Sequence, residues 1–322
     1  MPIQAGQIRV VVSEPITSPL SDMIELVPAS MINVAPERQD DLLAALQGVT
    51  LVLSAQPRWI AHYAPATQEI HISFRILELF WSTAYAYTVL FDEVYAARNP
   101  LDRTPADLTH PQLVANAMEL LRWALQDWID ASGTPLPISR FPQRLPRRLG
   151  SHASVADELS LLAVGFILHH ELAHHRFNHV PGEQSEVLEQ EQEADAAAAE
   201  WILDGVPVGS PYMTKRAAGA SIGMLALTAR CVHNNRHGGG GHPRHFDRLF
   251  NLLDRYLASE PNHSAWIFAT VAVKLHLDNS QVSVSAEVFG SYRDCLNSYI
   301  DAIARAQRSF DSFVKFSPTT WG

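Results

Sequence analysis

The stretch "GFILHHELAHHRFNH", residues 165–179, sets five histidines within eleven positions: His169, His170, His174, His175 and His179. An α-helix turns about 100° per residue, so side chains four apart lie within roughly 40° of one another on one face. Two pairs meet that spacing, His170 with His174 and His175 with His179. Only the first has a carboxylate directly after its leading histidine, which gives His170-Glu171-Leu172-Ala173-His174, an H-E-x-x-H pattern. Two imidazoles one turn apart can offer lone pairs to a single Zn²⁺, and the neighbouring glutamate can act as base toward a water there. In the second pair the equivalent position is Arg176, a cation that cannot be a base. His169 and His175 point about 100° away from their neighbours. His179 falls on the far side if the helix continues, so these three read as surface or supporting residues.

The residues just before the motif show how it is held. Leu159, Leu162, Ala163, Phe166 and Ile167 form an apolar face, which predicts a helix over 154–178 anchored in the core with its C-terminal half on a cleft floor. A catalytic zinc usually takes three protein ligands. The next predicted helix, 185–203, carries "EQEAD", in which Glu191 and Asp195 are four apart and share a face. Glu191 completes a His₂Glu site, and Asp195 can receive the outer ring N–H of a ligating histidine and fix its tautomer. The competing reading is that Glu183, Glu186, Glu189, Glu191 and Glu193 simply favour the positive end of a helix dipole. Glu189 and Glu193 are the fallback ligands, with Glu193 nearly opposite Glu191. Further on, "GHPRHFDRLFNLLDRY" begins at Gly241, with His242 before a helix-starting proline and Arg248 in the second turn. If that segment crosses the cleft, His242 and Arg248 can stabilise the oxyanion of an attacked amide. In isolation they would be a loop histidine and a surface arginine.

The rest of the chain supplies the frame. In the first seventy residues "IRVVV", "MIELV", "VTLVL" and "EIHIS" read as strands of a small sheet. Helical spacing follows from Phe74 to about Arg98, with Leu77, Trp81, Tyr85, Thr88, Phe91 and Tyr95 as a core stripe, and again from Pro111 to about Ala131. The proline-rich segment 132–150 reads as a linker whose Arg140, Arg144, Arg147 and Arg148 face solvent or else meet an acidic partner or nucleic acid. Beyond it the pattern predicts helices over 214–235, 244–258, 263–276 and 287–315. The expected class is α+β and mostly helical: an N-terminal lobe over 1–150 and a helical zinc-binding lobe over 151–322, together one catalytic unit.

Composition narrows the function. The 322 residues are 47% hydrophobic, enough for a sizeable core, and 34 acidic against 24 basic side chains give a net charge of −10, unsuited to a general nucleic-acid binder. Cys231 and Cys295 show no disulfide or metal-site spacing. No signal-peptide pattern opens the sequence, and "LSLLAVGFIL" is about half a membrane span. A soluble, cytoplasmic protein is expected, with no membrane or nucleic-acid partner.

Together "HELAH", "EQEAD" and "HPRHFDR" resemble the gluzincin metallopeptidases, in particular the group containing the CAAX prenyl proteases and heat-shock membrane proteases. "HHELAHHRFNH", "EQEADAAAAEWIL", "HPRHFDRLFNLLD" and, more weakly, "EIHISFRILELFWSTAYAY" are more similar to the Lit-like phage-exclusion peptidases. The resemblance implies a zincin-like metalloprotease with Zn²⁺ on His170, His174 and Glu191, Glu171 as base, and His242 and Arg248 in the active site. It also implies an intracellular protein substrate, for this family a translation factor, cleaved in phage defence. An extended substrate is expected to pair with the strand Glu69–Ser73. Two other readings stand beside this one: a non-catalytic zincin-fold sensor or binding module, and a regulatory protease that cuts a repressor. The first has no use for Glu171 or the His242–Arg248 pair, and the second usually accompanies a helix-turn-helix that this sequence does not offer.

Overall fold

A computed structural model describes residues 8–16, 18–55, 61–95, 108–124, 137–144, 148–180, 182–233, 245–279, 282, 284 and 289–316. The architecture is α+β and mostly helical, with a small mixed sheet. Its strands are β1 (Arg9–Val12), β2 (Thr50–Ser54), β3 (Ala61–Ala64) and β4 (Glu69–Ser73), in the order β1-β2-β4-β3. The first three in that order run parallel, and β3 is antiparallel to β4 on the edge. Leu51, Leu53, Ile70 and Ile72 alternate into the core, as a half-buried sheet requires.

Two expectations about the sheet change. "MIELV" is a 3₁₀ turn leading into α1 (Leu26–Asn33), not a strand. Met23, Val27 and Met31 are all buried at a spacing of four, so the helical period wins where a short apolar run was ambiguous. β4 is hydrogen-bonded on both sides, by β2 and β3, so it has no free edge for substrate; the edge on that side belongs to β3.

Helices α2 (Gln39–Ala45), α3 (Phe74–Leu90) and α4 (Pro111–Arg122) complete the N-terminal half. β4 passes straight into α3 at Ser73, whose hydroxyl caps the Arg75 amide at 3.3 Å. Leu77, Trp81 and Tyr85 of the aromatic stripe are core residues. Then follow α5 (His152–Arg176), α6 (Gln184–Leu203), α7 (Pro211–His233), α8 (His245–Leu257), α9 (Ser264–Asn279) and α10 (Tyr292–Phe316). Each expected helix after the linker is present, with ends displaced by a few residues.

α5 is the centre of the packing. It starts at Ser151, which accepts from the Ser154 amide at 3.2 Å, and is wrapped by α1, α3, α6, α7 and β3. A helix apolar on most sides is stable only when so enclosed. Two glycines set how closely its neighbours approach: a Cβ on Gly219 of α7 would stand 2.4 Å from Leu162 Cβ, and one on Gly165 would stand 3.0 Å from the Ser30 carbonyl oxygen of α1. One apolar cluster runs from Ile8 to Ile303 around these contacts. Among the described residues no helix is long and apolar enough to cross a membrane.

The segment expected to be a solvated basic linker is partly interior. Arg144 is buried, its Nε donating to Asp157 Oδ1 of α5 at 2.8 Å and its Nη1 to Asp22 Oδ1 at 2.7 Å. Trp81 Nε1 donates to the same Asp157 oxygen at 2.7 Å. Buried cations persist only when paired, and here the carboxylates come from distant parts of the chain. Arg140 pairs with Glu119, while Arg148 stays exposed and Arg147 lies outside the described residues. Arg144→Met, which strands Asp157, is expected to cost about 3–5 kcal/mol. Urea unfolding of wild type and variant checks this; equal midpoints would mean the buried pair contributes nothing.

Candidate metal centre

The C-terminal half of α5 and the middle of α6 bring together the residues singled out in the sequence. His170 Nε2 and His174 Nε2 lie 3.1 Å apart. Glu191 Oε2 is 3.5 Å from the first, and Glu191 Oε1 is 3.6 Å from the second. One ligand atom from each residue falls within 4.8 Å of the others, which makes this the group among the described residues that could hold a metal ion. Two imidazole nitrogens and a carboxylate oxygen so placed form a donor set suited to Zn²⁺.

The electrostatics fit a cation. Burial opposes a charged His170, but the carboxylates of Asp195 and Glu191 outweigh it and hold this imidazole up at about 10. Burial, followed by the proximity of His170, pushes His174 down to about 4. A surrounding that favours positive charge at one imidazole and disfavours it at the other is one in which a divalent ion held by the same three residues would be stabilised. Asp195 meets the His170 ring at 2.9 Å, Oδ1 to Nδ1, although off the line of the N–H bond. The Asp195 carboxylate is forked by Arg248 of α8, Nε to Oδ2 at 2.5 Å and Nη2 to Oδ1 at 2.6 Å. Burial alone would raise Asp195; Arg248 and His170 override it and keep this carboxyl below the usual range. The same guanidinium reaches Glu191 Oε2 at 3.8 Å. Arg248 therefore stands behind the imidazole pair, bound to Asp195. His242 lies outside the described residues.

The other histidines divide. α5 ends at Phe177 with Asn178 at φ 54°, and the His179 and Asn178 amides donate to the His174 and His175 carbonyls at 3.0 and 3.1 Å. This is a Schellman turn, with asparagine in the left-handed position. It reverses the chain, so His179 is not on the far side: its Nδ1 meets His174 Nδ1 at 2.9 Å, and its Nε2 meets Glu193 Oε2 at 3.0 Å. Glu193, a fallback ligand in the sequence, thus meets the histidine that stands behind His174. His169 is neither surface nor support to a ligand. It is buried, stacked on Trp201 at 5.1 Å, and meets the Met31 carbonyl of α1 with its Nε2 at 2.9 Å. Burial pushes it down to about 4, so it is a neutral core residue.

Glu171 is buried and faces β3, where the Tyr63 amide donates to its Oε2 at 2.7 Å. The Tyr63 hydroxyl meets His175 Nδ1, also at 2.7 Å. Tyr63 carries no signal in the sequence, since "AHYA" lacks both apolar alternation and a motif; only the sheet brings it to α5. The cluster therefore joins an imidazole pair, a carboxylate from a second helix and a separate carboxylate pinned to a sheet edge.

The peptidase U49 family model matches residues 70–269, a span that includes α3 and all of α5 and α6. The chain belongs to the peptidase U49 family. It is 26% identical over 282 residues to the cell death peptidase of Escherichia coli (strain K12), covering 85% of this chain and 94% of that one. No solved structure matches it. Membership makes the chain a peptidase, whose substrate is a protein.

Asp195→Asn removes the charge that meets His170 and is expected to weaken metal binding about 10–100-fold. Competition with a chromophoric chelator measures this, and melting of the metal-free forms separates it from a folding defect. Unchanged affinity would show that Asp195 does not hold the ligand.

Proposed function

We propose that this U49 peptidase is a zinc-dependent endopeptidase of zincin-like design, with His170, His174 and Glu191 as the metal ligands. The convergence of those three donors beside a fourth, non-ligating carboxylate carries the reading. When bound, Zn²⁺ would act as a Lewis acid toward a carbonyl and lower the pKa of water. Glu171 is the general base: it takes a proton from the attacking water and delivers it to the departing amine nitrogen. The Tyr63 amide orients the Glu171 carboxylate, and β3, the edge strand among the described residues, receives extended substrate through its backbone groups other than that amide, as sheet edges do. Phe177 and Val180, exposed beside the Schellman turn, offer apolar contacts for substrate side chains.

Asp195 and His179 fix the ligand imidazoles from behind, and Arg248 acts first through Asp195. His242 completes the assignment as an oxyanion-stabilising group, as the resemblance implies, with Arg248 sharing that role where substrate reaches it. The intended substrate is a cytoplasmic protein. The relative named a cell death peptidase supports a target whose loss halts the cell, and a translation factor in phage defence is the target we favour.

Glu171→Gln keeps the size and hydrogen-bonding reach of the side chain but removes its basicity. It is expected to retain metal, by elemental analysis, while cleavage of lysate proteins falls about 10²–10⁴-fold. Removing metal from the wild type with a chelator is expected to stop the same cleavages, and Zn²⁺ to restore them. Undiminished proteolysis by Glu171→Gln, or by the metal-free protein, would overturn the assignment.

A further inference from the structure

A cleft lies at the end of α5 opposite the candidate metal centre. It has a volume of about 310 Å³ and is bounded by Tyr85 of α3, Gln143 and Arg148 of the preceding segment, and Ser151, His152 and Ala153 at the helix start. Eighteen residues separate His152 from His170, which at 1.5 Å per residue is about 27 Å of helix. This cleft is thus remote from the candidate metal centre. Its volume is at the lower end for small-molecule pockets, too small for a folded partner or an extended polymer.

Its lining is rich in donors without acceptors. Tyr85 is 3% exposed and stacks on Trp81, yet among the described residues its hydroxyl has no hydrogen-bond partner. That hydroxyl is also not sealed from the cleft. A phenol so buried ordinarily finds a partner. Burial raises its pKa, which keeps it a donor. Arg148 is exposed and has no acidic partner among the described residues. In the first turn of α5 the Ser154 and Val155 amides are satisfied by Ser151, while those of His152 and Ala153 have no protein acceptor among the described residues. The neighbouring negative charges are committed: Asp22 and Asp157 to Arg144, Asp92 to the His152 ring at 2.9 Å, and Glu93 to the His110 ring at 2.7 Å.

We propose that this cleft binds a phosphate-type oxyanion, free or as the head of a compact phosphomonoester. The donors arrive from α3, from the segment carrying Arg148 and from the α5 amides. They are more numerous and more widely spread than the two oxygens of a carboxylate can use, whereas a tetrahedral anion presents oxygens in each direction. Pro142 also lines the cleft and offers apolar contact to a small organic group.

Calorimetric titration of the full-length protein with inorganic phosphate and with glycerol phosphate tests this without any reference to peptidase activity. Both are expected to bind; tighter binding of the ester assigns the remaining volume to its organic part, and equal binding assigns free phosphate. Tyr85→Phe keeps the ring stack and loses only the hydroxyl, and Arg148→Ala alters an exposed side chain, so both are expected to melt as wild type does. Each should weaken binding about 10–100-fold. Absence of binding to the wild type, or wild-type affinity in both variants, would overturn the proposal.

Discussion

Enclosing one 25-residue helix on several sides is the constraint from which the rest of this structure follows. A helix buried along α5's length cannot rotate or slide without opening cavities or driving Leu162 and Gly219, or Gly165 and Ser30, into one another. Fixing the helix fixes the azimuth of every side chain on it. His170 and His174 then face α6, Glu171 faces β3, and His169 faces Trp201. The helical histidines of one short stretch thus divide among different surroundings because each successive position is rotated by about 100°, while His179 is placed by the turn beyond the helix.

The second constraint is charge. Carboxylates inside a protein are costly unless met by cations or hydrogen bonds. Around the imidazole pair the acidic groups Glu191 and Asp195 are met from one side by Arg248 and from the other by the histidines. The balance leaves the centre with a preference for positive charge: the carboxylates raise His170, while burial and the nearness of His170 lower His174. The same logic recurs near the other end of the helix, where Arg144 is enclosed by Asp22 and Asp157. α5 is anchored at both ends by ion pairs to distant segments and along its middle by apolar contacts.

Most of the centre was legible in the sequence because it depends on local geometry. The i, i+4 spacing of His170 and His174, and of Glu191 and Asp195, places each pair on a common face whatever the fold around it. The long helices were legible for the same reason: an apolar pattern that holds a 3.6-residue period over four or more turns fits no other regular structure. The features that the structure changes are short or lie beyond the helix end. "MIELV" is too brief for its period to be decided, and His179 follows a helix that Asn178 brings to a close. The signal for that turn is present in the sequence, since asparagine is among the few residues suited to the left-handed position.

The sequence alone determined the class of the fold, the motif helix, the two candidate imidazoles and the acidic helix that follows, because each is set by interactions between residues a few positions apart. Only the tertiary structure decided that Glu191 reaches both imidazoles, that Arg248 grips Asp195, that Tyr63 pins Glu171 and that β3, not β4, forms the sheet edge beside α5. Two of those pairings, Arg248 with Asp195 and Tyr63 with Glu171, join residues 53 and 108 positions apart. Helical or strand periodicity says which face a side chain occupies but not which other element is packed against that face; close packing of the whole chain is what selects the partner.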